Sequence, residues 1–564
     1  MKDDLVNGDR VNALLEAAYR GRIGRRAFLK ALLAAGFGAA AARELAEHAA
    51  LAQSNQAARL AELKDEYDYL IVGGGTAGCV LAHRLSQDGR SSVLVIEGGG
   101  ADLSQPKTVN PLLWPTNIGS DTDWGNRTLP QAGLANRVIP VPVGKIIGGG
   151  SSINGLVWLR GDKSDFDAWE AAAGPDWGFA AIAHGFLKVD RCAGGDGPYR
   201  SGSGMIANRK PAPNHVVTRA FIEASKDLGF TELADVNGGP SPIGTGQMDQ
   251  NIDGMRRVSA AQPYLLPALE RRNLTLLPGA TVTRLAIESG RCRGVVASLP
   301  GGERRFSAAK ETLLCAGALH SPKLLMLSGV GPAEHLRSHG IRVAYDAPNV
   351  GANLHDHLLV RVWWRSSGKM PPMEDTHISG ITYTKSRASL PGPDIQVFAR
   401  HDAAASRDLK LDEGYVVLSG LTKVASRGTV RLGGADMAAP LAINPNYLGE
   451  AADVDALVAS IELGLAIGNG RSLAGIRQEQ LQLRAAAKAQ IAQYARETAL
   501  TYFHYAGTCA MGKSRSAPVD EALRVRGVEG LRVVDASVIP ELPCSNTNAP
   551  VLSLAERAAE LIAG

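Results

Sequence analysis

The chain has 564 residues, 45% of them hydrophobic and 21% charged, with a net charge of +4. That length exceeds one simple core, so two or more domains are expected. No long basic run is present, which argues against nucleic acid as a partner. The six cysteines, Cys79, Cys192, Cys292, Cys315, Cys509 and Cys544, are scattered with no C-x-x-C, so zinc, iron–sulfur and c-type haem sites have no support and no metal is expected.

Residues 1–60 read as a leader rather than as part of the fold. Residues 24–30, GRRAFLK, resemble the twin-arginine export signature, and an alanine-rich apolar run follows at 31–42. That run is too short to cross a bilayer, which takes roughly 18 apolar residues, and no other stretch reaches that length, so no transmembrane helix is expected. Ala50-Leu51-Ala52 offers an A-x-A cleavage site. Export to the periplasm or beyond, with cytoplasmic residence as the alternative, is the expectation.

The next stretch, 67–97, organises the rest. Residues 69–72 are an apolar run with β-branched members, suited to a buried parallel strand. Gly73, Gly75 and Gly78 follow with G-x-G-x-x-G spacing: a tight turn, a close backbone approach to a pyrophosphate, and close packing of helix on strand. A helix over 76–86, opening with Thr76 and Ala77, would aim its free N–H groups at the phosphates. A second strand over 93–96 ends at Glu97, nineteen residues after Gly78, where an acid can bond both ribose hydroxyls. The pattern predicts a dinucleotide site and disfavours a 2′-phosphorylated cofactor; NAD and FAD both remain open at this point.

Residues 143–161, VGKIIGGGSSINGLVWLRG, place a glycine–serine turn before an apolar strand, a shape suited to phosphates or a flat ring. Residues 317–331, GALHSPKLLMLSGVG, follow an apolar strand at 312–315, and Pro322 is expected to start a helix. Further on, strand-like segments at 395–398 and 429–432 fit an antiparallel sheet, and 453–467 and 473–497 read as helices.

The chain resembles the glucose–methanol–choline (GMC) oxidoreductases. The resemblance rests on GGGTAG at 73–78, on GKIIGGGSSINGLVWLRG at 144–161, on GALHSPKLLMLSGVG at 317–331 and on VGANLHDH at 350–357, and it covers roughly 66–564. It implies FAD, and an α/β plus α+β fold. A discontinuous Rossmann-like FAD-binding domain would use 66–160, 213–350 and 500–564. A substrate domain of antiparallel sheet flanked by helices would use 161–212 and 351–499. Ile153 stands where covalently flavinylated members carry histidine, so the FAD is expected to be noncovalent. By the same resemblance Gly149, Ser152, Asn154 and Gly155 would lie near the flavin, Val282 at the adenine, and Asp535 and Ala536 at the phosphates and ribityl.

His504, in TYFHYAGTCAMG, and Asn548, in CSNTNAPVLSLAE, occupy the family's catalytic positions. Alcohol oxidation requires removal of the O–H proton and delivery of hydride to flavin N5. A histidine is suited to the first task near neutral pH. An asparagine amide can orient the hydroxyl without competing as a base, and Asn546 could share that work. A helix over 551–562, with Asn548 just before it and Pro550 in its first turn, would set its N-terminus against the flavin and stabilise the reduced form. Asn548 thus doubles as a cofactor contact.

Aromatic residues are only 5% of the chain and no cage for a quaternary ammonium is visible, which disfavours choline. A neutral primary alcohol is the expected substrate, with 369–375 a candidate lid. The electron acceptor would be O2 or a separate quinone or cytochrome. The competing expectation is a non-redox, FAD-containing enzyme like the family's hydroxynitrile lyases.

Overall fold

The computed structural model describes residues 14, 17–18, 24–34, 39–192, 194–195, 197–211, 215–371, 378–401, 411 and 413–564. Two sheets organise them. The first has seven strands in the order Leu274–Pro278, Val93–Glu97, Glu66–Val72, Gly302–Leu314, Arg291–Leu299 and Thr281–Glu288, with Leu531–Val533 also paired to Gly302–Leu314. Every residue of Val93–Glu97 is buried, as a parallel strand covered on both faces requires. Val72 pairs with both Ile96 and Leu314, and Leu314 pairs with Val533. The carboxyl ends of these parallel strands therefore share one edge, which is where open α/β sheets bind ligands.

The second sheet has eight strands and is almost wholly antiparallel. Its order is Arg477–Gln480, Leu358–Ser366, Gly414–Leu421, Ile395–His401, Ile378–Thr384, Gly244–Gln247 and Glu232–Leu233, with Leu500–Thr501 paired to Leu358–Ser366. Alternation along the central strand sorts its side chains by face. Val360, Val362 and Trp364 pack with the helix Ala451–Gly468. Leu359 and Trp363 pack on the other face with Phe398, Val416 and Leu418.

Packing divides the chain differently from the expected boundaries. The helices Lys163–Ala173 and Phe179–Val189, expected in the substrate domain, bury Phe166, Trp169, Ile182 and Phe186 in the core of the first sheet. The helix Val216–Asp227 and strand Gly244–Gln247, expected with the FAD-binding domain, belong to the second sheet and its core.

Three local expectations are corrected. The helix expected to start at Pro322 spans Gly317–Leu327, with the proline inside it. Proline lacks the N–H that would bond to Ala318 O; the Thr508 hydroxyl donates to that carbonyl instead, at 2.5 Å. Residues 473–497 are not one helix. A short turn at Arg471–Leu473 leads to the strand Arg477–Gln480, which pairs at the sheet edge, and the helix is confined to Lys488–Thr498. The last helix is Asn548–Ala563, so Asn548 opens it rather than preceding it.

The twin-arginine pair lies in the helix Arg25–Ala34, and the A-x-A triplet lies inside the helix Ala39–Ala61. Asn55 donates to Leu269 O and Arg271 O at 3.0 and 2.6 Å. Gln56 donates to Leu274 O at 2.9 Å and accepts from Leu276 N at 3.0 Å, covering part of the first sheet's outer strand. No described helix is long and apolar enough to cross a membrane. Of the expected lid, residues 372–375 lie outside the described residues.

Candidate active site

A cavity of about 590 Å³ opens at the carboxyl edge of the first sheet and continues to the face of the second that carries Leu359, Phe398 and Leu418. Gly73, Gly75, Thr76, Ala77, Glu97, Gly149, Asn154, Gly155, Val282, Asp535, Ala536, His504 and Asn548 all line it. Two expected site residues do not. Gly78 lies behind the turn, and Ser152 is buried with its hydroxyl bonded to Ile147 O at 2.7 Å; Ser151 takes the lining position.

The fingerprint turn is built as its spacing predicts. Gly73 has φ +104°, and a Cβ on Gly78 would lie 2.0 Å from Gly73 O. Only glycine fits either place. A Cβ on Gly75 would meet nothing closer than 3.7 Å, which leaves that backbone open to a ligand. The helix Thr76–Leu85 has no side-chain cap, so its first N–H groups are left to whatever enters the cavity. The second glycine turn is clamped on the first, Gly148 N donating to Gly74 O at 2.7 Å.

Glu97 sits at the far end. Its two oxygens accept from Gly74 N at 2.8 Å and Gly99 N at 2.6 Å, and burial pushes its carboxyl up to about 7. Trp124 and Val282 line the cavity beside it. An uncapped helix start, an open glycine and a terminal acid at the nucleotide end fit the pyrophosphate and adenosine of FAD. Asp535 has a structural task as well: it accepts from Gly317 N at 2.9 Å, Ser321 Oγ at 2.6 Å and Ser537 N at 2.8 Å, tying the start of the 317–327 helix to its own turn.

The other half of the cavity holds the candidate chemistry. His504 is 6% exposed, and burial pushes its imidazole down to about 3, so it is neutral at physiological pH. Its Nδ1 lies 2.9 Å from His357 Nδ1, leaving Nε2 for the cavity. Its backbone N donates to Asp356 at 2.7 Å, and that carboxylate also accepts from Thr501 and Tyr447 at 2.5 Å each. Burial raises Asp356 to about 6, against the pull of these donors. Asn548 makes no side-chain hydrogen bond to another described residue, and Asn546 lines the same wall with its amide oxygen buried and unmatched. The helix Asn548–Ala563 also lacks a side-chain cap, and Thr547, Asn548 and Val551 at its start line the cavity.

The sequence reading passed over several residues of this site. Asp356 and His357 lie in the VGANLHDH stretch at 350–357, where the D-H pair was the available signal. Arg257, 2% exposed, bonds Ser151 O, Asn154 O and Asn154 Oδ1 and so holds the second glycine turn; burial lowers it to about 9. Nothing in its local sequence marks that role. Arg361 and Arg400 also line the cavity.

The comparisons with known proteins agree with this geometry. The GMC oxidoreductase N-terminal profile matches residues 67–359 and the C-terminal profile residues 424–555. The oxygen-dependent choline dehydrogenase of Rhizobium etli is 35% identical over 531 residues, covering 88% of this chain and 95% of the relative. That of Vibrio vulnificus is 36% identical over 538 residues, covering 89% and 95%. Among solved structures, pyridoxine 4-oxidase from Mesorbium loti superposes with a TM-score of 0.83 at 35% identity, covering 87% of this chain and 98% of that one. Formate oxidase from Aspergillus oryzae RIB40, at 24% identity and a TM-score of 0.81, shares the fold over 88% and 98%. The chain belongs to the GMC oxidoreductase family of FAD-dependent oxidoreductases that act on CH–OH groups.

Proposed function

We propose that the protein oxidises a primary alcohol to its aldehyde, with His504 as the general base. The observation that carries this reading is the convergence, in one cavity with the nucleotide turn, of a neutral His504 and the side chain of Asn548. FAD, when bound, supplies the acceptor for the carbon-bound hydrogen and its electron pair. The protein's own part is to bind, orient and deprotonate. His504 Nε2 takes the hydroxyl proton, and Asn548, supported by Asn546, orients the hydroxyl oxygen. The N-terminus of the 548–563 helix stabilises the negative charge that remains at the end of the reaction. Choline dehydrogenase and pyridoxine 4-oxidase, to judge by their names, both act on alcohols, which supports the class.

Ile153 offers no nucleophile, and on that ground the FAD is held noncovalently; acid precipitation should leave all the flavin in the supernatant. The electron acceptor is O2 or a separate quinone or cytochrome. The twin-arginine pair and the A-x-A triplet support export. Cleavage after Ala52 would leave Asn55 and Gln56 on the mature chain to keep their contacts, so envelope material should begin at Gln53. A retained Met1 in the cytosol would overturn that.

The direct test is anaerobic mixing with alcohols while the flavin absorbance is followed. Bleaching is expected, and its loss in His504→Ala with FAD still bound. Equal bleaching in His504→Ala removes the base assignment. Release of cyanide from a cyanohydrin, with the flavin staying oxidised under every alcohol, replaces the reading with a lyase.

A further inference from the structure

We propose that Arg257 is the counter-charge for the flavin ring: a guanidinium sealed behind the cavity wall, paired with no carboxylate, whose positive charge makes bound FAD easier to reduce. The proposal rests on the reading of this cavity as an FAD site that accepts hydride. It adds a positioning residue that acts on the acceptor and does not touch the substrate.

The hairpin of Ile252–Asp253 and Arg256–Arg257 runs behind the second glycine turn. Ala260 N, just after it, donates to Ser151 Oγ at 3.0 Å. Arg257 itself donates to Thr108 O at 3.1 Å, to Ser151 O at 3.2 Å, and to Asn154 Oδ1 and Asn154 O at 2.6 Å each. Ser151 and Asn154 line the cavity and Arg257 does not. The guanidinium is therefore one residue behind the wall.

Asn154 marks where along the cavity that charge acts. On one side the turn is tied to the fingerprint through Gly148 N and Gly74 O. On the other, Val157 packs with Tyr502, Phe398 and Leu418, and the Tyr502 ring lies 4.4 Å from that of His504. Asn154 thus stands between the nucleotide turn and the base, along the stretch a flavin ring must occupy to meet a substrate held by His504.

The partners of Arg257 set it apart. Four of its five N–H groups are matched, all by uncharged oxygens. Arg160, Arg200 and Arg532 are also buried, and each is bonded to a carboxylate: Asp190 at 2.9 Å, Asp249 at 2.7 Å and Glu311 at 2.7 Å. Arg257 is the most deeply buried of the four, yet no carboxylate among the described residues pairs with it, and burial alone acts on its proton affinity. A buried charge without a counter-charge is unfavourable. That penalty is offset when a negative charge forms nearby. The neutral oxidised ring gains one negative charge on taking the hydride, while the O–H proton passes to His504. A fixed cation behind the wall favours that product over the oxidised form.

The test compares the FAD-loaded parent with Arg257→Gln and Arg257→Lys, with no alcohol present. Two quantities are read: the two-electron midpoint potential, and the dissociation constant of sulfite, an anion that adds to the oxidised ring and leaves it negatively charged. A unit charge ~10 Å away, at an effective dielectric of ~20, is worth ~10-fold in such an equilibrium. Arg257→Gln should weaken sulfite binding by ~10-fold or more and lower the potential by about 30 mV, the same factor for a two-electron couple. Arg257→Lys should stay within ~3-fold of the parent at pH 6 and fall to the glutamine value by pH 9, because a buried ammonium gives up its proton more readily than a guanidinium. Each value is taken relative to the parent at the same pH, so titration of His504 and His357 cancels. A glutamine variant within twofold of the parent in sulfite binding, with its potential unmoved, overturns the proposal. So does a lysine variant that matches glutamine at pH 6, since the role would then be that of a clamp. Weaker FAD binding with both quantities unchanged assigns the charge to the phosphates and overturns it too, as does failure of both variants to hold FAD. If only the glutamine variant loses FAD, the lysine variant decides: a ~10-fold fall from pH 6 to pH 9 relative to the parent supports the proposal, and a parallel profile overturns it. Neither quantity needs a substrate. Unchanged values beside bleaching by an alcohol refute only the role of Arg257, and shifted values in a protein that no alcohol bleaches refute only the oxidation reading.

Discussion

Replacing His357 with phenylalanine should slow proton removal without touching the reacting atoms. His357 and His504 meet Nδ1 to Nδ1 at 2.9 Å. Burial pushes both imidazoles down, and at His357 the neighbouring His504 and Lys423 add to it, so both are neutral. Of two neutral rings so joined, one carries the shared proton. If it is His504, its Nε2 has a free lone pair and can take a proton from substrate. If it is His357, His504 Nε2 bears hydrogen and cannot act as base. The Thr422 carbonyl favours a proton on His357, although among the described residues no group completes a regular hydrogen bond to its Nε2. With Nδ1 engaged by His504, a proton on His357 belongs on Nε2, and its Nδ1 becomes the acceptor that fixes His504 in the reactive tautomer. His357→Phe leaves a buried N–H without its acceptor, which costs about 1–3 kcal/mol. At 1.36 kcal/mol per decade that is a fall of ~5- to 150-fold in the anaerobic flavin-reduction rate. FAD content should be retained, and His357→Asn should recover part of the loss. The double variant with His504→Ala should be no slower than His504→Ala alone, because the two residues act through one nitrogen. A His357→Phe rate within twofold of the parent, or losses that add in the double variant, would refute this reasoning.

Gly78→Ala forces a Cβ to within 2.0 Å of Gly73 O, a backbone atom; the cost should exceed about 3 kcal/mol, and the chain is expected to purify without FAD or fail to fold, measured by the 450 nm absorbance per chain. Thr508→Val removes the hydroxyl that satisfies Ala318 O and should lower stability to denaturant by about 1–3 kcal/mol while leaving the Pro322-containing helix in place. His355 accepts from Leu542 N at 3.0 Å and meets Asn353 O at 2.6 Å, and burial lowers it to about 3. Between pH 6.5 and 4.5 the unfolded chain binds a proton there that the folded chain refuses, so stability falls as pH falls through that window. His355→Gln should flatten the slope by about 2 kcal/mol over those two units; an unchanged slope would show that His355 titrates alike in both states.

What the sequence made legible is the part of the site whose geometry is local. The fingerprint turn, Glu97, the 149–155 turn and the start of the last helix are each specified by neighbours within a few residues, and the expected site residues in them line the cavity apart from Gly78, whose task is to pack, and Ser152. The long-range part was less visible. Pro322 reads as a helix start because its missing N–H needs a partner lost or irrelevant, and the hydroxyl that resolves this comes from Thr508, nearly two hundred residues on. Residues 477–480 have helical composition nearby, but the free edge of the second sheet offers them main-chain partners, and the tertiary pairing wins. Ser152 was expected at the ligand because it follows three glycines; its hydroxyl is drawn inward by Ile147 O. Arg361 and Arg400 sit in LLVRVWW and IQVFARH, where a charge breaks an apolar alternation. That interruption was a usable sign of a cation drawn into the fold.

The arrangement around His504 also separates two tasks that a catalytic carboxylate often combines. Asp356 is buried within reach of the base, yet it binds the backbone N–H of His504 and the hydroxyls of Thr501 and Tyr447, not the imidazole. It therefore fixes the loop that carries the base rather than sharing the base's proton. The imidazole is governed by His357, the next residue in the chain, whose own neutrality is enforced by burial. A carboxylate on Nδ1 would stabilise imidazolium and raise the proton affinity of the base. A neutral acceptor there selects the tautomer and leaves that affinity low. The base can then release its proton readily after each turnover, and the driving force for taking it must come from elsewhere. With His504 as the base, the uncapped start of the 548–563 helix is the positive feature of this wall that can lower the pKa of an approaching hydroxyl, and proton removal would then draw on acidifying the substrate rather than on strengthening the base.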